Sequence, residues 1–177
     1  MAPDALPPTV KTRSYDYSPA AFDAAAALTM TGLEYMQALV SGRLGAKPPI
    51  SDTLGMSIPF DLAHGRAAVE AEPEDFLLNP IGTIHGGFAA TLLDSVMAIA
   101  VHTTLPAATV YTTAELKINY TRAILPTSGR LRAEGRIIHS GRQLATAEGR
   151  LTGIEDGKLY AHGSTTCLVM PVQRPKG

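Results

Sequence analysis

Two hydrophobic rhythms divide this chain. From Phe88 to Val101 almost every side chain is apolar or small, which predicts a long helix covered on most of its sides. From Val110 to Tyr120 the period changes to two. Val110, Thr112, Ala114, Leu116, Ile118 and Tyr120 are expected on one face of a strand, and Tyr111, Thr113, Glu115, Lys117 and Asn119 on the other. Further strand-like segments follow at about 129–139, 142–154 and 157–169, joined by turns at Ser140-Gly141 and Glu155-Asp156-Gly157. Upstream the patterns are shorter. Residues 1 to about 17 are Pro-rich and read as a tail, and Ser18-Pro19 can open a short Ala-rich helix. Thr31 and Glu34 have capping-box spacing ahead of a stripe of Leu33, Met36, Val40 and Leu44, with Gly45 as the stop. Residues 51 to 71 suggest two modest strands around Pro59 and His64-Gly65, and the loop EPEDFLLNPIGTI leads into the long helix.

A helix that is apolar nearly all round needs a cover, and a curved antiparallel sheet wrapped about it supplies one. The predicted class is therefore α+β, with residues 48–172 as the domain and residues 1–47 as an N-terminal tail and helical extension. Small residues on the later strands (Ala145, Ala147, Gly149, Ala161, Gly163) would let sheet and helix approach closely.

One residue breaks the apolar run. Asp94 stands in the middle of the long helix, and a buried carboxylate is costly unless paired, hydrogen-bonded or protonated. The same helix begins at His85-Gly86-Gly87. Two glycines at a helix start leave peptide N–H groups unshielded, and with the helix dipole behind them these suit an oxygen that gains negative charge. The bland alternatives are a tight entry turn that only glycine fits, a packed histidine, and an Asp94 held by Ser or Thr hydroxyls. Asp94 follows Gly87 by seven residues, so both lie on nearly one helical face but roughly 10 Å apart along the axis. Two such helices side by side in a two-fold dimer could set the Gly87 of one against the Asp94 of the other, giving two equivalent composite sites.

Charge and composition narrow the chemistry. The net charge of −1 argues against a dedicated nucleic-acid binder. The segment from Lys117 to Lys158 nevertheless carries a local excess of +4, which reads either as exposed strand faces or as a docking surface for an anionic small molecule. Cys167 is the sole cysteine and sits in the apolar run CLVM as a small core residue. The five histidines show no ligand spacing, so no metal is expected. No GxSxG elbow, phosphate loop or dinucleotide fingerprint occurs, which disfavours nucleophilic-serine, P-loop and Rossmann chemistries, and no cofactor is expected. No segment approaches membrane-spanning length and no secretory leader is legible, so the expected place is the cytoplasm, without a membrane partner.

The stretch NPIGTIHGGFAATLLD, followed about twenty residues later by TTAELKINYTRAI and then by IIHSGRQLATAEGRLTGIEDGKLYAHGSTT, closely resembles the hot-dog-fold acyl-CoA thioesterases of the PaaI type, over roughly residues 50 to 170. The resemblance implies a central helix wrapped by an antiparallel sheet, dimers joined edge to edge, and pairs of dimers as homotetramers. It implies hydrolysis of an acyl-CoA thioester, with coenzyme A as part of the substrate. By motif, Asp94 stands where the catalytic carboxylate stands, Gly87 where a peptide N–H polarises the thioester carbonyl, and His85 and Gly86 shape that turn against the substrate. Asn79 takes the place of the residue that orients water or thioester, and Thr113 that of an assisting hydroxyl. The parity of the strand puts Thr113 opposite Leu116 and Ile118, toward a cleft. Arg122, His139 and Arg142, near strand ends or turns, are candidates for the coenzyme A phosphates. A hydratase or dehydratase on the same fold, or a non-catalytic acyl-CoA sensor, are the rival expectations.

Overall fold

The computed structural model describes residues 9–19, 22–45 and 47–172. The long helix, α4, runs Gly86–His102; ahead of it lie α1 (Ala24–Thr29), α2 (Gly32–Val40) and α3 (Pro49–Leu54). Strands β1 (Phe60–Ala63) and β2 (Arg66–Ala71) precede α4, and β3 (Thr109–Tyr120), β4 (Leu131–Ser140), β5 (Leu144–Gly153) and β6 (Leu159–Pro171) follow it. All pair antiparallel in one sheet of order β1-β2-β4-β5-β6-β3. The sheet wraps α4, and this is the hot-dog arrangement. β3 is a terminal strand, and its outer edge has no partner strand among the described residues.

Burial explains the helix. Leu92, Leu93, Val96, Met97 and Val101 are sealed against Val69, Leu131, Ala133, Ala145, Ala147, Leu151 and Ala161. Each large aliphatic side chain removed from water in this way is worth about 1.5–3 kcal/mol. Close approach is set by glycine at one decisive place. A Cβ on Gly135 would lie 2.2 Å from the Val96 carbonyl oxygen, so β4 touches the backbone of α4 itself. Not every face of α4 is covered: Gly87, Ala90, Thr91, Asp94 and Ser95 form a partly open stripe of small residues.

Several expectations change. α1 opens at Asp23, whose side chain accepts from the Ala26 N–H, and not at Ser18-Pro19. α2 has the expected capping box of Thr31 and Glu34 but ends at Val40, and its buried face is Gly32, Tyr35, Met36 and Ala38. Residues 49–54 form a helix begun by Pro49, where a strand was expected to start. Residues 9–17 are no free tail: Arg13 donates to the Asp52 carbonyl at 2.8 Å and lies over the Phe76 ring, while residues 1–8 fall outside the described ones. The main correction concerns β3. Its pairing with β6 shifts between Thr113 and Glu115, so Ala114 is an extra residue in a bulge. A bulge reverses the alternation. Tyr111 and Ile118, expected on opposite faces, both pack toward the core under the sheet.

Candidate active site

The bulge delivers Thr113 to α4. Its hydroxyl donates at 3.1 Å to Oδ1 of Asp94, which belongs to the partly open stripe of the helix. Thr113 thus faces the helix beneath the sheet, on the same side as Ile118, which corrects the parity expectation. One of the bland alternatives is also realised here, since a threonine hydroxyl does hold Asp94. The carboxylate is not sealed, however; it is half-buried and its Oδ2 has no bond to another described residue. Cys167 pairs with Thr113 across the β3–β6 ladder and is fully buried, and burial pushes its thiol pKa up. Tyr111, one strand step from Thr113 on the same face, has its phenol pushed above the usual range, chiefly by burial and secondarily by Cys167 and Asp94.

The start of α4 is built by its approach loop. The His85 N–H donates to the Leu77 carbonyl at 2.8 Å, and the Ile84 N–H to the Ile124 carbonyl at 2.9 Å. Asn79 Oδ1 accepts from the Ile81 N–H at 3.1 Å and the Thr83 N–H at 3.2 Å, while its Nδ2 donates to Thr83 Oγ1 at 2.8 Å. In this chain alone, the Asn79 side chain therefore organises the 79–83 turn. His85 is the N-cap of α4, and its Nδ1 accepts the Gly87 N–H at 2.9 Å. That N–H already has a partner, and the exposed imidazole must turn aside before it can meet a carbonyl. Gly86 is pressed by Tyr120, whose hydroxyl donates to the Gly86 carbonyl at 3.1 Å.

Asn79, Gly86, Tyr120 and Arg122 line one cleft of about 340 Å³ beside the start of α4. Arg122 is exposed there and makes no ion pair among the described residues. His139 and Arg142 lie elsewhere. They flank Ser140, whose hydroxyl bonds that of Thr104 at 2.8 Å, just past the far end of α4. The seventeen-residue helix is about 25 Å long. Within one chain, Arg122 therefore stands apart from His139 and Arg142. The summed charge of a sequence segment carries no information about which end of a helix each cation reaches. Tyr111 and Tyr120 were not singled out as site residues. The signal available was their place at the two ends of the alternating strand that carries Thr113.

Among the described residues, no three of His, Cys, Asp and Glu gather as metal ligands, and no helix is long and apolar enough to cross a membrane.

Comparison with known proteins adds the family. Residues 81–160 match the profile of the Thioesterase superfamily. An inferred esterase of Pseudomonas aeruginosa is 30% identical over 128 residues, which cover 71% of this chain and 85% of that protein. A phenylacetic acid degradation-related protein of Ralstonia eutropha superposes with a TM-score of 0.66 at 30% identity, covering 76% of this chain and 98% of its own. The phenylacetic acid degradation protein PaaI of Thermus thermophilus does so with a TM-score of 0.61 at 29% identity, over 68% of this chain and 97% of its own. The Escherichia coli PaaI protein, at 17% identity and a TM-score of 0.68 over 82% of this chain and 98% of its own, shares the fold. The wrapped helix, the HGG entry turn and these relatives agree: the chain belongs to the thioesterase superfamily and is a PaaI-like hot-dog thioesterase.

Proposed function

We propose that this enzyme hydrolyses acyl-CoA thioesters at a site shared by two chains, with Asp94 of one chain and Gly87 of its twin on either side of the thioester carbonyl. The observation that carries the reading is the position of Asp94. On a helix whose other faces are largely buried, it stands on the partly open stripe with Thr113 on one oxygen and, among the described residues, no partner on the other. The small residues of that stripe let a second helix approach, and the unpaired edge of β3 offers a matching contact for a two-fold partner. Residues 48–172 form the thioesterase domain on this reading, residues 1–47 its extension, and pairs of dimers make tetramers.

The chemistry follows from the geometry. Thr113 fixes Asp94 Oδ1, which leaves Oδ2 to take a proton from water as the water oxygen attacks the thioester carbon. The carbonyl oxygen gains charge, displaces His85 Nδ1 from the Gly87 N–H, and is stabilised by that donor and the helix dipole. Collapse expels the coenzyme A sulfur, which recovers the proton from Asp94. Direct attack by Oδ2 to give a mixed anhydride is the other route open to the same carboxylate. Single turnover in labelled water separates them, since label appears in Asp94 only through the anhydride. Asn79 acts as a positioning residue for the entry turn, and Arg122 is the cation placed to meet the anionic part of coenzyme A.

Subunit complementation tests the shared site. Asp94→Asn chains and Gly87→Pro chains, the latter lacking the peptide donor itself and checked for folding, are each inactive alone and are mixed under conditions that exchange subunits. Mixed dimers then hold one intact site, and about a quarter of wild-type thiol release returns. No recovery, with exchange verified by mass, would refute the arrangement.

A further inference from the structure

The two glycines that open α4 have different neighbours. A Cβ on Gly87 would fall 2.9 Å from His85 Nδ1, whereas a Cβ on Gly86 would meet the Tyr120 ring and hydroxyl at 3.1–3.3 Å. Gly86 therefore makes room for a ring. Tyr120 ends β3, and its hydroxyl donates to the Gly86 carbonyl at 3.1 Å. That carbonyl and the Gly87 N–H belong to one planar peptide unit, so the two groups cannot turn independently. A hydrogen bond to the carbonyl oxygen polarises the amide and makes its N–H a stronger donor. The same unit gives its N–H to His85 Nδ1 at 2.9 Å, which completes a relay from Tyr120 through one peptide to the imidazole. The Tyr120 side chain is exposed, but the backbone beside it is fixed. The Thr121 N–H donates to the Tyr160 carbonyl and the Thr121 hydroxyl to the Leu159 carbonyl, both at 2.9 Å. β3 thus sets a hydroxyl on each group that the proposed reaction uses, Thr113 on the acid and Tyr120 on the donor peptide.

We propose that Tyr120 is a positioning residue for the oxyanion donor: its hydroxyl fixes the plane of the Gly86–Gly87 peptide and strengthens the Gly87 N–H toward the thioester oxygen. The inference rests on the reading that Gly87 of one chain faces Asp94 of its twin, and it adds a division of labour. Each composite site takes Thr113 from the chain that gives the acid and Tyr120 from the chain that gives the donor. Loss of a whole oxyanion donor costs about 10²–10³ in kcat. A neighbouring hydrogen bond strengthens a donor by about 10–30%. Removing the Tyr120 hydroxyl should therefore lower kcat by about two- to eightfold. KM should stay nearly constant, since the donor acts on charge that develops only in the transition state.

Tyr120→Phe removes the hydroxyl and keeps the ring. With the fastest of acetyl-, butyryl- and benzoyl-CoA, thiol release by this variant should show the loss in kcat at constant KM. An unchanged kcat, or a change confined to KM, would overturn the proposal. Subunit mixing then separates positioning from a general loss of structure. In a mixed dimer the Asp94→Asn chain supplies Gly87 to the one intact site, and the Gly87→Pro chain supplies Asp94. Tyr120→Phe carried by the Asp94→Asn chain should lower the recovered activity by the same factor as in the homodimer. Carried by the Gly87→Pro chain, whose own donor is already gone, it should cause no such loss. Equal losses from either chain would mark a structural effect and overturn the proposal. Absence of recovery in the parent mixture defeats the shared site and this inference with it; recovery with the loss on the wrong chain, or on both, defeats only the role of Tyr120.

Discussion

The two ends of α4 are built on opposite terms. The first turn is open: two glycines, an exposed histidine cap and an approach loop tied by Asn79 and Leu77 surround peptide donors aimed outward. The last turn is closed, with His102 between Tyr35 and Tyr111 and the backbone of α2 against it. Local stability is low where contacts are few and high where packing is dense. The helix is therefore accessible in its first half and anchors itself by its last turn. Asp94 sits between these regimes, half-buried, with one oxygen tied and one available.

Changes in the first half should accordingly act on rate and changes in the last turn on stability. The largest effect is expected from Asp94→Asn, which should lower kcat by about 10²–10⁴-fold while leaving the assembly and melting temperature near wild type. At the closed end, the expected signature is a pH dependence. Unfolded chain binds a proton on His102 near pH 6.5, whereas the folded chain resists it until about 4. Stability is thus fully present above 6.5 and is lost as pH falls through that window, by an amount on the order of a few kcal/mol. Urea midpoints at pH 7 and pH 5 should differ less in His102→Gln than in the wild type; an equal difference would remove His102 as the cause. Thr113→Val is predicted to reduce kcat by about tenfold with little change in KM, because a bond to a charged group is worth roughly 1.5–3 kcal/mol and only part of it bears on the reacting oxygen. The smallest effect should come from Arg122→Ala, a rise of a few-fold in KM for acyl-CoA that shrinks as salt is added.

Sequence carried the helix and its exception well. An apolar run needs a cover, and a carboxylate within it needs a reason, so both the wrapped architecture and the interest of Asp94 were legible from composition along one segment. The capping box of Thr31 and Glu34 was legible for a similar reason, since its two hydrogen bonds depend on residues three apart. The bulge was not. Ala114 sits in an unbroken alternation, and only pairing with β6 reveals that one residue is extra. Everything that depends on parity beyond it was inverted, including the side on which Thr113 lies relative to Ile118. The ring stack was invisible for another reason: Phe22, Tyr35, His102 and Tyr111 are brought together by long-range packing that no local period records. The same holds for Arg122 against His139 and Arg142.

The backbone contact between Gly135 and Val96 has a consequence at a distance. Val96 follows Asp94 by two residues, so the height of the carboxylate above the Thr113 hydroxyl is gauged from a strand on the other flank of the helix. A single added carbon at Gly135 would act as a shim, lifting the helix and opening a 3.1 Å bond that it never touches. In this fold, the seat of the Asp94 carboxylate is gauged by a residue that carries no side chain at all.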